Sequence, residues 1–253
     1  MPLMYGRRPP KNAPSLKFRD YLAAIPAHPA ACDYLASLNG GWDMLGNDSL
    51  GDCVAVTWAN TRRLVTATLS TQYYPTLQQV ETFYATQNPN GADNGMDIQT
   101  ALEDLVQAGG PDGVKALGFM AVDFGNPEEV KAAINIAGSV WTGINVQSNN
   151  ETEFNAGQPW DFTPGAPNIG GHSIITGGYG TFQPSTPQLS GDEKFITWAQ
   201  ETSFTDAFWS NQVEEAWVVI WPEHLGTKAF VQGMNTATFE SDVTDITGKP
   251  FPK

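Results

Sequence analysis

Gly46-Asn47-Asp48-Ser49-Leu50-Gly51-Asp52-Cys53 runs directly into Val54-Ala55-Val56-Thr57-Trp58-Ala59-Asn60-Thr61-Arg62-Arg63-Leu64-Val65-Thr66. The first eight residues read as a polar, glycine-containing loop. From Cys53 to Leu69 there is no glycine or proline, and apolar residues recur at helical spacing, which predicts a helix over 53–69. Asp52 stands where an N-cap belongs, so Cys53 falls on the first turn. There, unpaired peptide N–H groups and the helix dipole favour a thiolate. A blander reading stands beside this one, because a single cysteine commonly serves as a small buried hydrophobe.

Outward from this helix, the first half of the chain reads as helical. Short helical stretches are expected near Asp20–Ala24 and Ala31–Leu38. Thr76-Leu77-Gln78-Gln79 fits a capping box for a helix to about Thr86. Met96–Gln107 reads as an amphipathic helix stopped by Gly109-Gly110, and Asn126-Pro127-Glu128-Glu129 as a helix start with proline at its first position. The second half changes character. Ser139–Val146, Gly170–Gly180, Lys194–Gln200 and Glu215–Ile220 are rich in strand formers. Helices before strands imply an α+β fold rather than an alternating parallel one.

Net charge is −14 over 253 residues, unevenly spread. Arg7, Arg8, Lys11, Lys17 and Arg19 give the first 19 residues +5, which leaves eight basic residues against 27 acids in the remainder. An acidic body repels nucleic acid, so no nucleic-acid partner is expected. No apolar run is long enough for a membrane span, and the N-terminal stretch lacks the apolar segment of a secretory signal. A cytoplasmic or particle-associated location is expected. Residues 1–20 read as an extended, basic, proline-rich arm that contributes little to the core: either a flexible, solvated terminus or a strap laid on an acidic surface, its own body's or a neighbour's. With only Cys32, Cys53 and three scattered histidines, neither a metal nor a cofactor is expected; a Cys32–Cys53 disulfide stays open.

His172 lies at the start of a predicted strand, behind Gly170-Gly171, where other backbone can approach. A cysteine on a helix start and a histidine on a strand start suit nucleophilic catalysis. The ordered set resembles the papain-type cysteine peptidases over about residues 42–222. Asn47 precedes Cys53 by the offset at which that family places an oxyanion-hole amide. Asp93-Asn94-Gly95-Met96 is similar to its glycine-rich loop. Gly171-His172-Ser173-Ile174-Ile175 and Gly177-Gly178-Tyr179-Gly180 are similar to its histidine strand, Phe195–Gln200 to a later strand, and Phe208–Ile220 to the closing one. The loop and cysteine together also resemble papain-like proteins carried by bacteriophages. This likeness implies two lobes within 21–253: helical over about 42–125, antiparallel β over about 126–222, then a tail at 223–253. It further implies Cys53 as nucleophile, His172 as base and acid, and Asn47 in the oxyanion hole.

Three departures bear on activity. The amide is Asn rather than Gln. The charge of Asp52 should raise the Cys53 pKa. The family's third residue is replaced by Ile196-Thr197-Trp198-Ala199-Gln200, where Thr197 or Gln200 could orient the histidine or be plain strand residues. No inhibitory leader is expected from so short an arm. Pairs such as Asp43/Asp48 or Glu214/Glu215 could act as glycosidase acids, though acids are abundant enough for chance to supply them. Eight tryptophans suggest core or seam residues more than sugar stacking. Two functions are consistent with these residues: a papain-like cysteine hydrolase of peptide or amide bonds, or a non-catalytic structural or interaction protein of that fold, such as a virion component.

Overall fold

The computed structural model describes residues 3–180 and 191–251. The helix after Asp52 forms as the spacing predicts, as α1 (Cys53–Leu69). Helix α2 (Leu77–Tyr84) starts in the expected capping box: Thr76 Oγ1 accepts from the Gln79 N–H at 3.3 Å, and Gln79 Oε1 accepts from the Thr76 N–H at 3.0 Å. Asp97 caps α3 (Ile98–Gln107) through the Thr100 N–H at 2.8 Å. Helix α4 (Pro127–Ala137) opens on its proline and ends at Gly138, whose φ of 79° is the left-handed turn expected of a helix stop.

The strands are β1 (Cys32–Asp33), β2 (Gly118–Ala121), β3 (Val140–Gln147), β4 (Asn168–Tyr179), β5 (Gly191–Thr197), β6 (Gln200–Thr205) and β7 (Val213–Ile220). They form an antiparallel sheet in the order β2-β7-β3-β4-β5-β6, with β1 paired to β4. Alternation across the pleat divides the core. Trp141, Ile175, Ile196, Trp217 and Val219 pack with Trp58, Leu64, Phe83 and Leu102 of α1–α3. Val140, Ile144, Ile174, Val218 and Ile220 pack in a second cluster with Ala133 and Ile134 of α4. Among the described residues, no helix is long and apolar enough to cross a membrane.

Several expectations are corrected. Ala31–Leu38 is not a helix. It opens with β1, only Leu35–Ser37 winds into a 3₁₀ turn, and the Tyr34 N–H donates to Gly177 O at 3.0 Å. Lys194–Gln200 is not one strand. Thr197 pairs with Gln200 across a two-residue turn in which Trp198 (φ 42°) and Ala199 (φ 62°) are both left-handed. Such a turn matches the twist of its strands, but Trp-Ala lacks the Asn-Gly signature that announces it. The closing strand starts only at Val213, because α6 (Asp206–Gln212), capped by Thr205, takes up the residues before it; another helix, α5 (Ser148–Asn155), follows β3. Residues 223–251 carry α7 (Lys228–Gly233) and α8 (Thr236–Thr247), which bury Phe230 and Phe239.

Candidate active site

Cys53 opens α1 and is buried. Asp52 occupies the N-cap position, but with φ −94° and ψ 15° its side chain caps no N–H, contrary to expectation. That carboxyl is fully buried and neither oxygen has a hydrogen-bond partner of good geometry. Burial is the largest effect on it and pushes its pKa up to about 8, the nearby Asn47 amide drawing it partly back. Burial dominates at Cys53 too. It pushes the thiol up to about 12, and the backbones of Ser173 and Gly6 offset only part of this. The expected charge effect of Asp52 on Cys53 is felt in the direction foreseen, raising the thiol pKa.

His172 enters from β4, paired with Ile144 of β3. The next residue, Ser173, seats that strand on the first turn of α1: its Oγ lies 2.9 Å from Thr57 Oγ1, which donates to the Cys53 carbonyl at 2.8 Å. This places the histidine strand against the cysteine helix. His172 Nε2 is hydrogen-bonded to Thr197 Oγ1 at 2.7 Å, while Nδ1 has no hydrogen-bond partner. Thr197 is thus the residue of its segment that touches the ring; Gln200 is exposed. The indole of Trp198 stacks on the imidazole, with centroids 4.5 Å apart and planes at 26°. No residue pattern pointed to that contact, which depends on the unannounced turn. Burial, then the Arg7 charge, lowers the His172 pKa to about 3. Asn47 is buried, and its Nδ2 donates to Leu50 O at 3.2 Å and Met4 O at 3.4 Å. Cys32 and Cys53 are both free thiols.

What covers this site is the chain's own arm. The Met4 N–H donates to Asn47 O at 3.3 Å, and Trp198 Nε1 donates to Met4 O at 3.4 Å. Tyr5 meets the His172 ring edge-on at 6.0 Å, and its hydroxyl donates to Glu151. Gly171 O accepts from the N–H groups of Gly6 (3.1 Å) and Arg7 (3.0 Å). Met96 pairs with the other edge: its N–H donates to Gly6 O and its carbonyl accepts from the Arg8 N–H, both at 2.8 Å. The approach is too close for side chains. A Cβ on Gly6 would lie 1.8 Å from Gly51 O, and one on Gly95 would lie 2.0 Å from Gly6 O. Further along, Phe18 is fully buried and Leu16 packs against the same core. The arm is therefore an ordered strap on its own body. Contrary to expectation, it adds to the core and, short as it is, covers the site.

No protein-family model matches this chain, and no curated protein matches it significantly. Solved structures do. Xylellain, a cysteine protease from Xylella fastidiosa, is similar with a TM-score of 0.59 at 15% identity, over 85% of this chain and 95% of that one. Procathepsin B S9 from Trypanosoma congolense is similar with a TM-score of 0.62 at 11% identity, over 87% of each chain. The Carica candamarcensis cysteine protease CMS1MS2 gives 0.53 at 12%, over 76% and 98%. At such identities the likeness is one of fold, and together with the mixed helical and antiparallel architecture it gives this chain the papain-like two-lobe fold.

Proposed function

We propose that this protein is a papain-like cysteine hydrolase of peptide or amide bonds, held latent by residues 4–8. The observation that carries the reading is an extended peptide, the arm itself, hydrogen-bonded on one side to Gly171 and on the other to Met96, with the Gly6 backbone against Cys53 and Tyr5 against the His172 ring. Once that segment leaves, water reaches both groups. The desolvation that holds the thiol up and the imidazole down is then relieved, so the two can exchange a proton near neutral pH. In the tautomer that donates Nε2–H to Thr197 Oγ1, His172 Nδ1 is the free base. It takes the Cys53 proton as sulfur attacks the scissile carbonyl. Asn47 Nδ2 and the Cys53 N–H receive the oxyanion. The imidazolium then protonates the leaving amine, and water hydrolyses the thioester.

The test is peptide hydrolysis by full-length Gly6→Ala, whose added Cβ cannot coexist with the seated arm. The variant should cleave, and the same variant carrying Cys53→Ala should not. Equal turnover with and without Cys53 would refute the mechanism.

A second reading keeps the fold without catalysis, as a structural or interaction protein such as a phage particle component. The observation favouring it is that the site as folded is closed and both groups are neutral. An arm-released chain that is well folded yet inert on peptides would favour it.

A further inference from the structure

Arg7 is the arm residue with the most built surroundings. Its side chain is fully buried. One terminal nitrogen donates to Glu215 Oε1 at 3.1 Å; the other donates to Asn145 Oδ1 at 3.2 Å, to Ile144 O at 3.3 Å and to Glu214. The sheet is shaped for this. Gly143 of β3 pairs with Glu215 of β7, but the next residue, Ile144, pairs with Val213, which leaves Glu214 as the extra residue of a bulge. Bulges re-aim side chains, and this one brings two consecutive glutamates onto one guanidinium. Gly143 leaves the space: a Cβ there would lie 2.5 Å from Glu215 Cγ and 2.8 Å from Arg7 Cδ. Trp217 Nε1 holds the second oxygen of Glu215 at 2.7 Å. The pocket lies one strand from the chemistry, since Gly143 and Ile144 pair on their other side with Ser173 and His172.

We propose that Glu214, Glu215 and Asn145 form a specificity subsite that selects arginine in the peptides this cleft binds, Arg7 being its internal occupant. The subsite rests on the hydrolase reading only for the cleavage of a bound peptide. Several acceptors around one planar fork suit arginine over lysine, whose ammonium is a point charge. A neutral side chain there would leave Glu215, itself almost fully buried, without its cation. The carboxylate pair Glu214/Glu215, considered from sequence as glycosidase acids, is instead committed to this guanidinium.

The test uses a full-length chain carrying both Gly6→Ala, which unseats the arm, and Arg7→Ala, and titration calorimetry with two capped peptides: the sequence of residues 4–8, and the same peptide with neutral citrulline in place of its first arginine. The arginine peptide should bind about tenfold or more tightly than the citrulline one, and Glu215→Gln in the same chain should remove most of that difference. Equal binding of the two peptides, or no binding of the arginine peptide, would overturn the subsite. Should the double variant fail to fold, Gly6→Ala alone, whose unseated Arg7 competes equally with both peptides, takes its place. Hydrolysis of a mixed-sequence peptide pool is read separately. Arginine-selective binding without cleavage removes the hydrolase reading and leaves the subsite; cleavage without arginine preference does the reverse.

Discussion

Cys53, His172 and Asp52 share one physical condition, burial, and it acts on each in the direction that removes charge. The sequence placed Cys53 on a helix start and His172 on a strand start, because both arise from local periodicity and loop residues. It could not place their protonation states, which depend on groups brought over them from residues 4–7. Asp52 shows the gap: as part of a sequence it is a helix cap and a negative charge, but in the fold it is a carboxyl sealed beneath Gly46 and Asn47. Its folded pKa of about 8 lies above the ordinary 3.8, so its contribution to stability is present below pH 4 and is lost as pH rises through 8. Asp52→Asn should therefore gain stability relative to wild type between pH 4 and 8, read by denaturant unfolding at each pH. His172 and His224 are held low, to about 3 and about 4. Their contribution is present above pH 6.5 and is lost as pH falls toward 3, so wild type and Asp52→Asn alike should weaken on that acid limb.

At the scale of elements, the helices that carry caps were legible: the Thr76 capping box, Pro127 and the uninterrupted run after Cys53 each have a local cause. The turn at Trp198–Ala199 was not, because two left-handed residues without glycine or asparagine are held there by the sheet rather than by their own preferences. It is nonetheless the turn that sets Thr197 on the His172 ring and Trp198 over its face. Ala199→Gly should relieve the left-handed cost and stabilise the protein by up to about 1 kcal/mol, measured as a shift in denaturant midpoint at unchanged slope. A loss of stability would mean that the Ala199 methyl packs in a way its φ does not reveal.

At the scale of the molecule, helices before strands gave the α+β class, and the ordered motifs gave the two lobes. The path of the arm was hidden. Its prolines and charges argue for an extended segment, but its docking depends on glycines far along the chain and on glutamates of the last strand. Phe18 is fully buried, so Phe18→Ala should cost about 3–5 kcal/mol, measured by equilibrium unfolding. Gly6→Ala disturbs only the close approach over Cys53 and should leave most of that core in place. These two variants separate the arm's structural half from its covering half.

The most direct measurement is alkylation of Cys53 by iodoacetamide at neutral pH, tracked site by site by mass spectrometry, with Cys32 as the internal reference in wild type and Gly6→Ala. A latent nucleophile under its own arm predicts Cys53 nearly unlabelled in wild type and labelled faster than Cys32 in Gly6→Ala. Cys53 that stays unlabelled in a folded Gly6→Ala chain, or that labels equally in both proteins, would contradict it.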